Sequence, residues 1–309
     1  MTDELAILRL MRTKGLGPRT LTRLLLRAAA QRMRASELIQ VPNKELVASW
    51  GLKPAVAEAI VGDKSDVLAV ADRVEHEGIG VVTVTNPKYP VRLRYALDSA
   101  APPVLFLKGN HSLLDERSVA LIGSRDALGA GLDLARGIAS ALANERINVV
   151  SGYASGIDSA SHEGALKAGG TTTFVLAEGI LAGRKNEPIE PIVSESNSVF
   201  VSEFWPTAPW TKYQAMQRNA TIIGLSTAIV VVESGREGGT FEAGKTALAL
   251  GTPVFAVEWP DPPESAAGNA WFKSHGAEML SPASVEQAVK LILAAKGRER
   301  PVSDDSLFE

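Results

Sequence analysis

From about residue 76 onward the chain alternates short, continuously apolar runs with amphipathic stretches of helical period. This rhythm limits the available folds more than any other feature. The runs, rich in β-branched residues, are Val119–Ile122, Ile147–Val150, Thr171–Leu176, Val199–Val201, Ala228–Val232 and Pro253–Val257. Helical stretches near 130–144, 156–168, 213–224 and 240–250 lie between most of them. Strands joined through helices pair in parallel by right-handed crossovers. Such strands are covered on both faces, so they read as unbroken apolar runs rather than as alternating patterns. The rhythm predicts an α/β fold built on a mostly parallel sheet with helices on both faces.

The remainder of the chain reads differently. Residues 1–75 read as a small all-helical domain: Leu5, Leu8 and Met11, then Leu21, Leu24 and Leu25, recur at helical spacing without a β-branched run. Gly15-Leu16-Gly17-Pro18 punctuates these helices, and Trp50-Gly51-Leu52-Lys53-Pro54 repeats the punctuation. Such a hairpin is either a plain helix–helix turn or, as in helix-hairpin-helix modules, a backbone cradle for a DNA phosphate. A strand-like Ile79–Val84, a connector Ala101-Pro102-Pro103 and a further run Val104–Leu107 lead into the α/β part, which extends over 76–296 and closes on a helix near 284–296. Residues 297–309 turn charged and are expected to form a mobile tail.

Composition removes several kinds of chemistry. The chain has 309 residues and no cysteine, so disulfides, thiolate metal sites and thiol catalysis are excluded. The four histidines, His76, His111, His162 and His275, lack ligand spacing, and no metal or cofactor is expected. Aromatic residues at 6% argue against an extended base-stacking platform. No apolar run approaches the roughly 20 residues that span a bilayer, and Arg9, Arg12 and Lys14 interrupt any secretory pattern, so a cytoplasmic protein is expected. The net charge of −3 conceals an excess of six positive charges up to residue 34. That excess is either a phosphate-facing surface or a solvated helical face.

In an open parallel sheet, ligands bind beyond the carboxyl ends of the strands. Polar residues collect there: Gly123-Ser124-Arg125 after the first run, Ser151-Gly152-Tyr153-Ala154-Ser155-Gly156-Ile157-Asp158 after the second, and Glu233 followed by Gly235 and Gly238-Gly239-Thr240-Phe241-Glu242 after the fifth. Each is a strand, a glycine-bearing turn and a helix start, which lets a backbone approach an anion closely and offers free N–H groups. Phosphate-binding candidates are therefore Gly123, Ser124, Arg125, Ser151, Gly152, Gly156, Asp158, Gly238, Gly239 and Thr240. Arg218-Asn219 reads either as phosphate or base recognition or as a tie between loops. His162 follows Asp158 by one helical turn, as a general acid/base or as half of a structural Asp–His pair; it and Glu233 are assigned as supports beneath the site. Neither a P-loop nor a Gly-x-Gly-x-x-Gly fingerprint is present, which disfavours ATP hydrolysis and dinucleotide oxidoreduction.

These segments together resemble the DprA/Smf family of DNA-processing proteins. The resemblance runs through Tyr89-Pro90, Leu97, Pro103–Phe106, Val119–Arg125, Ser151–Asp158 with His162 and Ala165-Leu166, Ser202-Glu203, Arg218-Asn219, Leu225-Ser226, Val254–Val257 and Gly276-Ala277, covering roughly 79–295. It implies an extended Rossmann-like fold without enzymatic activity that binds single-stranded DNA, usually as a homodimer, and helps load a RecA-type recombinase. The setting would be DNA uptake, mobile elements or phage defence. Arg125, Ser151–Asp158 and Arg218-Asn219 would line the DNA pocket.

The departures from the family pattern are specific. Ser155 stands where the family usually has arginine, and Arg-Asn-Arg becomes Arg218-Asn219-Ala220, removing two positive charges that would strengthen phosphate binding. Gly238–Gly244 replaces a Ser-Gly-x-x-x-Thr-Ala segment, the Gly183–Pro188 loop lacks the Tyr-Pro pattern, and no room is left for a C-terminal winged helix. The Gly-Gly-Thr-x-Glu cluster also resembles the LOG-type nucleotide phosphoribohydrolases. That alternative would make Arg125 and Glu242 catalytic, although Glu242 is one position short of the family spacing; a nucleotide-sensing domain is a third reading. Finally, the acidic tail with Leu307-Phe308 resembles sliding-clamp-binding peptides without their glutamine, or is a solvated terminus.

Overall fold

The apolar runs become strands because nearly every residue in them is buried, alternately on the two faces of one sheet. In β3 (Ser118–Ile122), Ala120 and Ile122 join the core on one face while Val119 and Leu121 join the core on the other. The same alternation divides β4 (Asn148–Gly152), β7 (Ala228–Val231) and β8 (Val254–Val257). With no face left for water, such strands lack polar alternation. The computed structural model describes residues 2–61, 65–127, 129–183 and 190–295.

Nine strands form a single sheet among the described residues. The others are β1 (Gly80–Thr83), β2 (Val104–Gly109), β5 (Thr172–Val175), β6 (Ser198–Ser202) and β9 (Glu278–Leu280), and the order is β1-β2-β6-β5-β4-β3-β7-β8-β9. The seven strands from β6 to β9 run parallel, while β2 pairs antiparallel with both β6 and β1. The fold is thus a mostly parallel, Rossmann-like α/β sheet. From β3 the chain winds outward through β4, β5 and β6, then returns to lay β7 on the other side of β3. Because the winding reverses at β3, a crevice opens at the carboxyl ends of β3 and β7.

The helices that cover the sheet follow the sequence periodicity. They are α8 (Gly129–Asn144), α9 (Ile157–Lys167), α10 (Lys212–Leu225), α11 (Gly239–Ala249), α12 (Asn269–Ser274) and α13 (Val285–Ala294). In α8, Leu134, Ala135, Ile138, Ala139 and Leu142 form the buried stripe. A further helix, α7 (Val91–Leu97), precedes β2 and packs against α10, where Gly224 makes room for Leu93.

Ahead of β1 lie α1 (Asp3–Met11), α2 (Pro18–Ala30), α3 (Ala35–Leu38), α4 (Asn43–Ala48), α5 (Pro54–Val61) and α6 (Ser65–His76). Pro18 opens α2, where its fixed φ suits the first turn and its missing N–H costs nothing. Leu21, Leu24, Leu25 and Ala28 are buried while Arg19, Arg23 and Arg27 face out. The Thr22 hydroxyl donates to the Ala101 carbonyl at 2.8 Å, tying α2 to the connector before β2. Gly15 turns the hairpin at φ +83°, a conformation that suits glycine. No described helix is long and apolar enough to cross a membrane.

Candidate nucleic-acid interface

The crevice where the winding reverses holds a cavity of about 580 Å³. The β3 turn supplies Gly123, Ser124, Arg125 and Asp126; the turn after β4 supplies Ala154 and Asp158; the turn after β7 supplies Gly235, Glu237, Gly238, Gly239 and Thr240. From the first half of α10 come Lys212, Met216, Arg218 and Asn219, with Trp210 just before the helix. Three bends far apart in sequence therefore meet at one rim, because β4, β3 and β7 are neighbours running in the same direction.

The bends are bonded to one another. The Ser124 N–H donates to the Glu233 carbonyl at 2.9 Å, and the Ile157 N–H donates to the Ser124 carbonyl at 3.2 Å. The Thr240 hydroxyl donates to the Gly123 carbonyl at 3.1 Å, and the Asn219 amide donates to the Gly239 carbonyl at 3.1 Å. Asn219 thus serves as a tie between helix and turn, one of the two roles its sequence context left open. Gly156, at φ +77°, is required twice over: a Cβ there would stand 2.3 Å from the Ser124 carbonyl oxygen.

Several sequence-selected residues lie beneath the cavity rather than on its wall. Ser151 is fully buried and its hydroxyl donates to the Leu121 carbonyl at 2.6 Å. Gly152 is also buried; a Cβ on it would strike both the Arg218 guanidinium and the Asp158 carboxylate, so its role is to admit that pair. Both residues are the last of β4, where the sheet interior claims them. Glu233 is buried, with its carboxylate against Gly131 of α8 and accepting from the Ser265 hydroxyl at 2.7 Å.

The pairing of Asp158 with His162 is corrected by the structure. His162 is wholly buried, with Nε2 2.6 Å from the Gly152 carbonyl and Nδ1 2.6 Å from the Thr172 hydroxyl. Since a carbonyl only accepts, Nε2 carries the proton, and the Thr172 hydroxyl against Nδ1 shares its own proton with the Val149 carbonyl at 2.7 Å. Burial pushes the His162 pKa down to about 3, so the ring is neutral and structural. Asp158 turns instead toward Arg218. Burial raises its pKa, opposed first by the Arg218 charge; burial lowers the Arg218 pKa, opposed first by Asp158. The Arg218 guanidinium also donates to the Val175 carbonyl, while its Nε is buried without a hydrogen-bond partner. An unmatched buried donor is costly and marks a place where structure alone does not account for the residue.

The rim contains residues that glycine-based reasoning passed over. Trp210 is 38% exposed, and the Arg125 guanidinium lies 5.4 Å from its ring centroid. Lys212 and Met216 flank it. The low overall aromatic content hid this local concentration; Trp205, Trp210 and Tyr213 stand within nine residues of sequence and were the available signal. Glu242, by contrast, lies outside the cavity on the exposed side of α11, paired with Lys245 at 3.0 Å. The phosphoribohydrolase alternative thus loses its carboxylate. In the basic N-terminal segment, Arg12 and Arg27 stack on Trp205 and Trp50. The Leu307-Phe308 tip and residues 184–188 of the Gly183–Pro188 loop lie outside the described residues.

Comparison with known proteins agrees with this architecture. A family model described as DNA recombination-mediator protein A matches residues 80–292. The DNA processing protein DprA of Bacillus subtilis is 28% identical over 226 residues, covering 68% of this chain and 75% of the relative. Protein Smf of Escherichia coli is 30% identical over 195 residues, covering 62% of this chain and 52% of the relative. The chain thus spans about half the length of one of these relatives and three-quarters of the other. Among solved structures, DprA from Streptococcus pneumoniae aligns with TM-score 0.78 at 24% identity, covering 93% of this chain and 98% of its own. DprA from Helicobacter pylori, described for its single-stranded DNA binding mode, aligns with TM-score 0.57 at 20% identity over 70% of this chain and 95% of its own. These two likenesses concern the fold. The family match spans more than half of the sequence and includes all three bends of the rim, and on that ground the chain belongs to the DprA/Smf family of DNA recombination mediators.

Proposed function

We propose that this protein binds single-stranded DNA in the crevice at the carboxyl ends of β3, β4 and β7 and acts as a recombination mediator without catalysing a reaction. The observation that carries the reading is the pairing of Arg125 with the exposed indole of Trp210 over a glycine-bordered cavity. A guanidinium meets phosphate bidentately, and an indole face stacks on any base, so the pair suits a strand whose bases are unpaired. Duplex DNA keeps its base faces inside the stack and cannot use the indole in this way. Gly123, Gly238 and Gly239 allow the backbone to approach the strand, while Ser124 and Thr240 add hydroxyl groups. Arg218 lines the floor of the cavity beside Asp158, whose carboxylate it pairs with.

Family membership supports the rest of the reading: pairing into a homodimer, handing the strand to a RecA-type recombinase, and a place of action in the cytoplasm. The position of Glu242 outside the cavity supports a binding rather than a hydrolytic role. Fluorescence anisotropy with labelled single- and double-stranded oligonucleotides, at two salt concentrations, tests the proposal. Preference for the single strand with strong salt sensitivity is expected. Equal affinity for both forms, or no binding at low salt, refutes it.

A further inference from the structure

A second cleft, of about 660 Å³, opens between the first half of α10 and the hairpin that joins α1 to α2. Leu16, Pro18 and Arg19 face it from the hairpin, Pro103 from the connector, and Tyr213 and Gln217 from α10. Met216 lines this cleft and the switch-point cavity alike, so the two are adjacent across a single side chain. The ridge between them is unusually apolar for a surface. Tyr213 is 76% exposed and Met216 48%, and they stand three residues apart, on neighbouring positions of one helical face. Scattered exposed apolar residues need no explanation, but a bulky pair linking two concave sites does.

We propose that the single strand continues from the switch-point cavity across Met216 into this cleft, with a base stacked on Tyr213 and a phosphate met by Arg19. This rests on the reading of the first cavity as a single-strand site and extends it to the N-terminal helices. Charge favours a nucleic acid as the occupant. The outward face of α2 carries Arg19, Arg23 and Arg27 with no acidic residue in its first turn. The acidic residue on the cleft wall, Glu203, is buried and occupied, accepting from the Gln217 amide at 2.6 Å and from the Thr221 hydroxyl. An exposed aromatic face beside an exposed cation matches the alternation of base and phosphate along a strand. The continuity through Met216 makes the same strand, rather than another protein, the natural occupant.

The test compares oligothymidylates of about four and about twelve nucleotides, lengths that bracket single-strand site sizes. Anisotropy titrations use the full chain and the variants Tyr213→Ala, Tyr213→Phe and Arg19→Ala; both residues are exposed, so folding is not at stake. Tyr213→Ala and Arg19→Ala are expected to weaken the long oligonucleotide about ten-fold while leaving the short one unchanged, and Tyr213→Phe to retain most of the affinity. Unchanged affinity at both lengths, or an equal loss at both, overturns the extension. Arg125→Ala separates the two readings: it should weaken both lengths, and if it weakens neither, the first cavity is not the DNA site and the extension falls with it.

Discussion

The guanidinium of Arg125 lies over the indole of Trp210, 5.4 Å from its ring centroid, so the bend after β3 is clasped to the segment entering α10. Cation–π contacts of this kind contribute about 0.5–1 kcal/mol at exposed sites, enough to hold an orientation without fixing it. A strand entering the cavity can therefore take the indole for a base and the guanidinium for a phosphate. Trp210→Ala is expected to weaken single-strand binding about ten-fold or more, and Trp210→Phe less, as read by anisotropy. Loss of the indole without loss of affinity would show that no base stacks there.

Gly156 illustrates why two strand ends can approach so closely. Gly156→Ala would place a methyl group 2.3 Å from the Ser124 carbonyl oxygen, in addition to a left-handed φ of +77°. Gly169 has nearly the same φ, +76°, with open space around its Cβ position. Gly169→Ala should cost about 1–2 kcal/mol, the conformational penalty alone. Gly156→Ala should cost clearly more, because backbone rather than a flexible side chain must move. Urea unfolding of the two variants makes the comparison, and equal costs would mean that the bends do not press on one another.

Much of this was legible in advance, and the limits have physical causes. The six apolar runs of the parallel part were readable because burial on both faces leaves no polar interruption, and their ends fell within two residues of the strands. The edge strand β9 was not, since Glu278 is exposed and the strand is only three residues long. Nor could the sequence reveal that β2 runs antiparallel to β6, because direction depends on the connection rather than on the strand. Within the site, the glycine-bearing bends do converge on one rim. Burial decided the rest: Ser151 and Gly152 belong to the sheet interior, and His162 hydrogen-bonds across to β5 and back to β4 rather than to Asp158. Trp210 and Lys212 carry no glycine signal, and only the return of the chain from β6 through α10 brings them to the cavity.

His162 couples stability to pH. Its folded pKa of about 3 lies below the ordinary 6.5, so above pH 6.5 both folded and unfolded chains hold a neutral ring. Below that value the unfolded chain binds a proton that the folded chain refuses, and stability falls as the pH drops toward 3. The loss from this one group amounts to about 2 kcal/mol between pH 7 and pH 5. Asp158 and Glu203, whose pKa values burial raises, act in the opposite sense. The measurement is therefore a difference: urea unfolding of wild type and His162→Gln across this range, with a flatter profile expected for the variant. Parallel profiles would contradict a neutral buried imidazole.

Glu242 tests the hydrolytic alternative. It stands outside the cavity, paired with Lys245, and does not face the proposed binding site. Chromatography after long incubation with a nucleoside monophosphate should show intact nucleotide only, and Glu242→Gln should bind oligonucleotides as wild type does. Release of free base, abolished by Glu242→Gln, would reverse the assignment.

The salt dependence of single-strand binding tests the central claim most directly. Removing one phosphate contact lowers the slope of log affinity against log salt by about 0.7 for single strands and weakens all sequences alike. Arg125→Ala, at the cavity, should show that reduction with every oligonucleotide. Arg236→Ala, exposed nearby but not lining the cavity, should keep the wild-type slope. An Arg125→Ala slope identical to that of wild type would contradict the account.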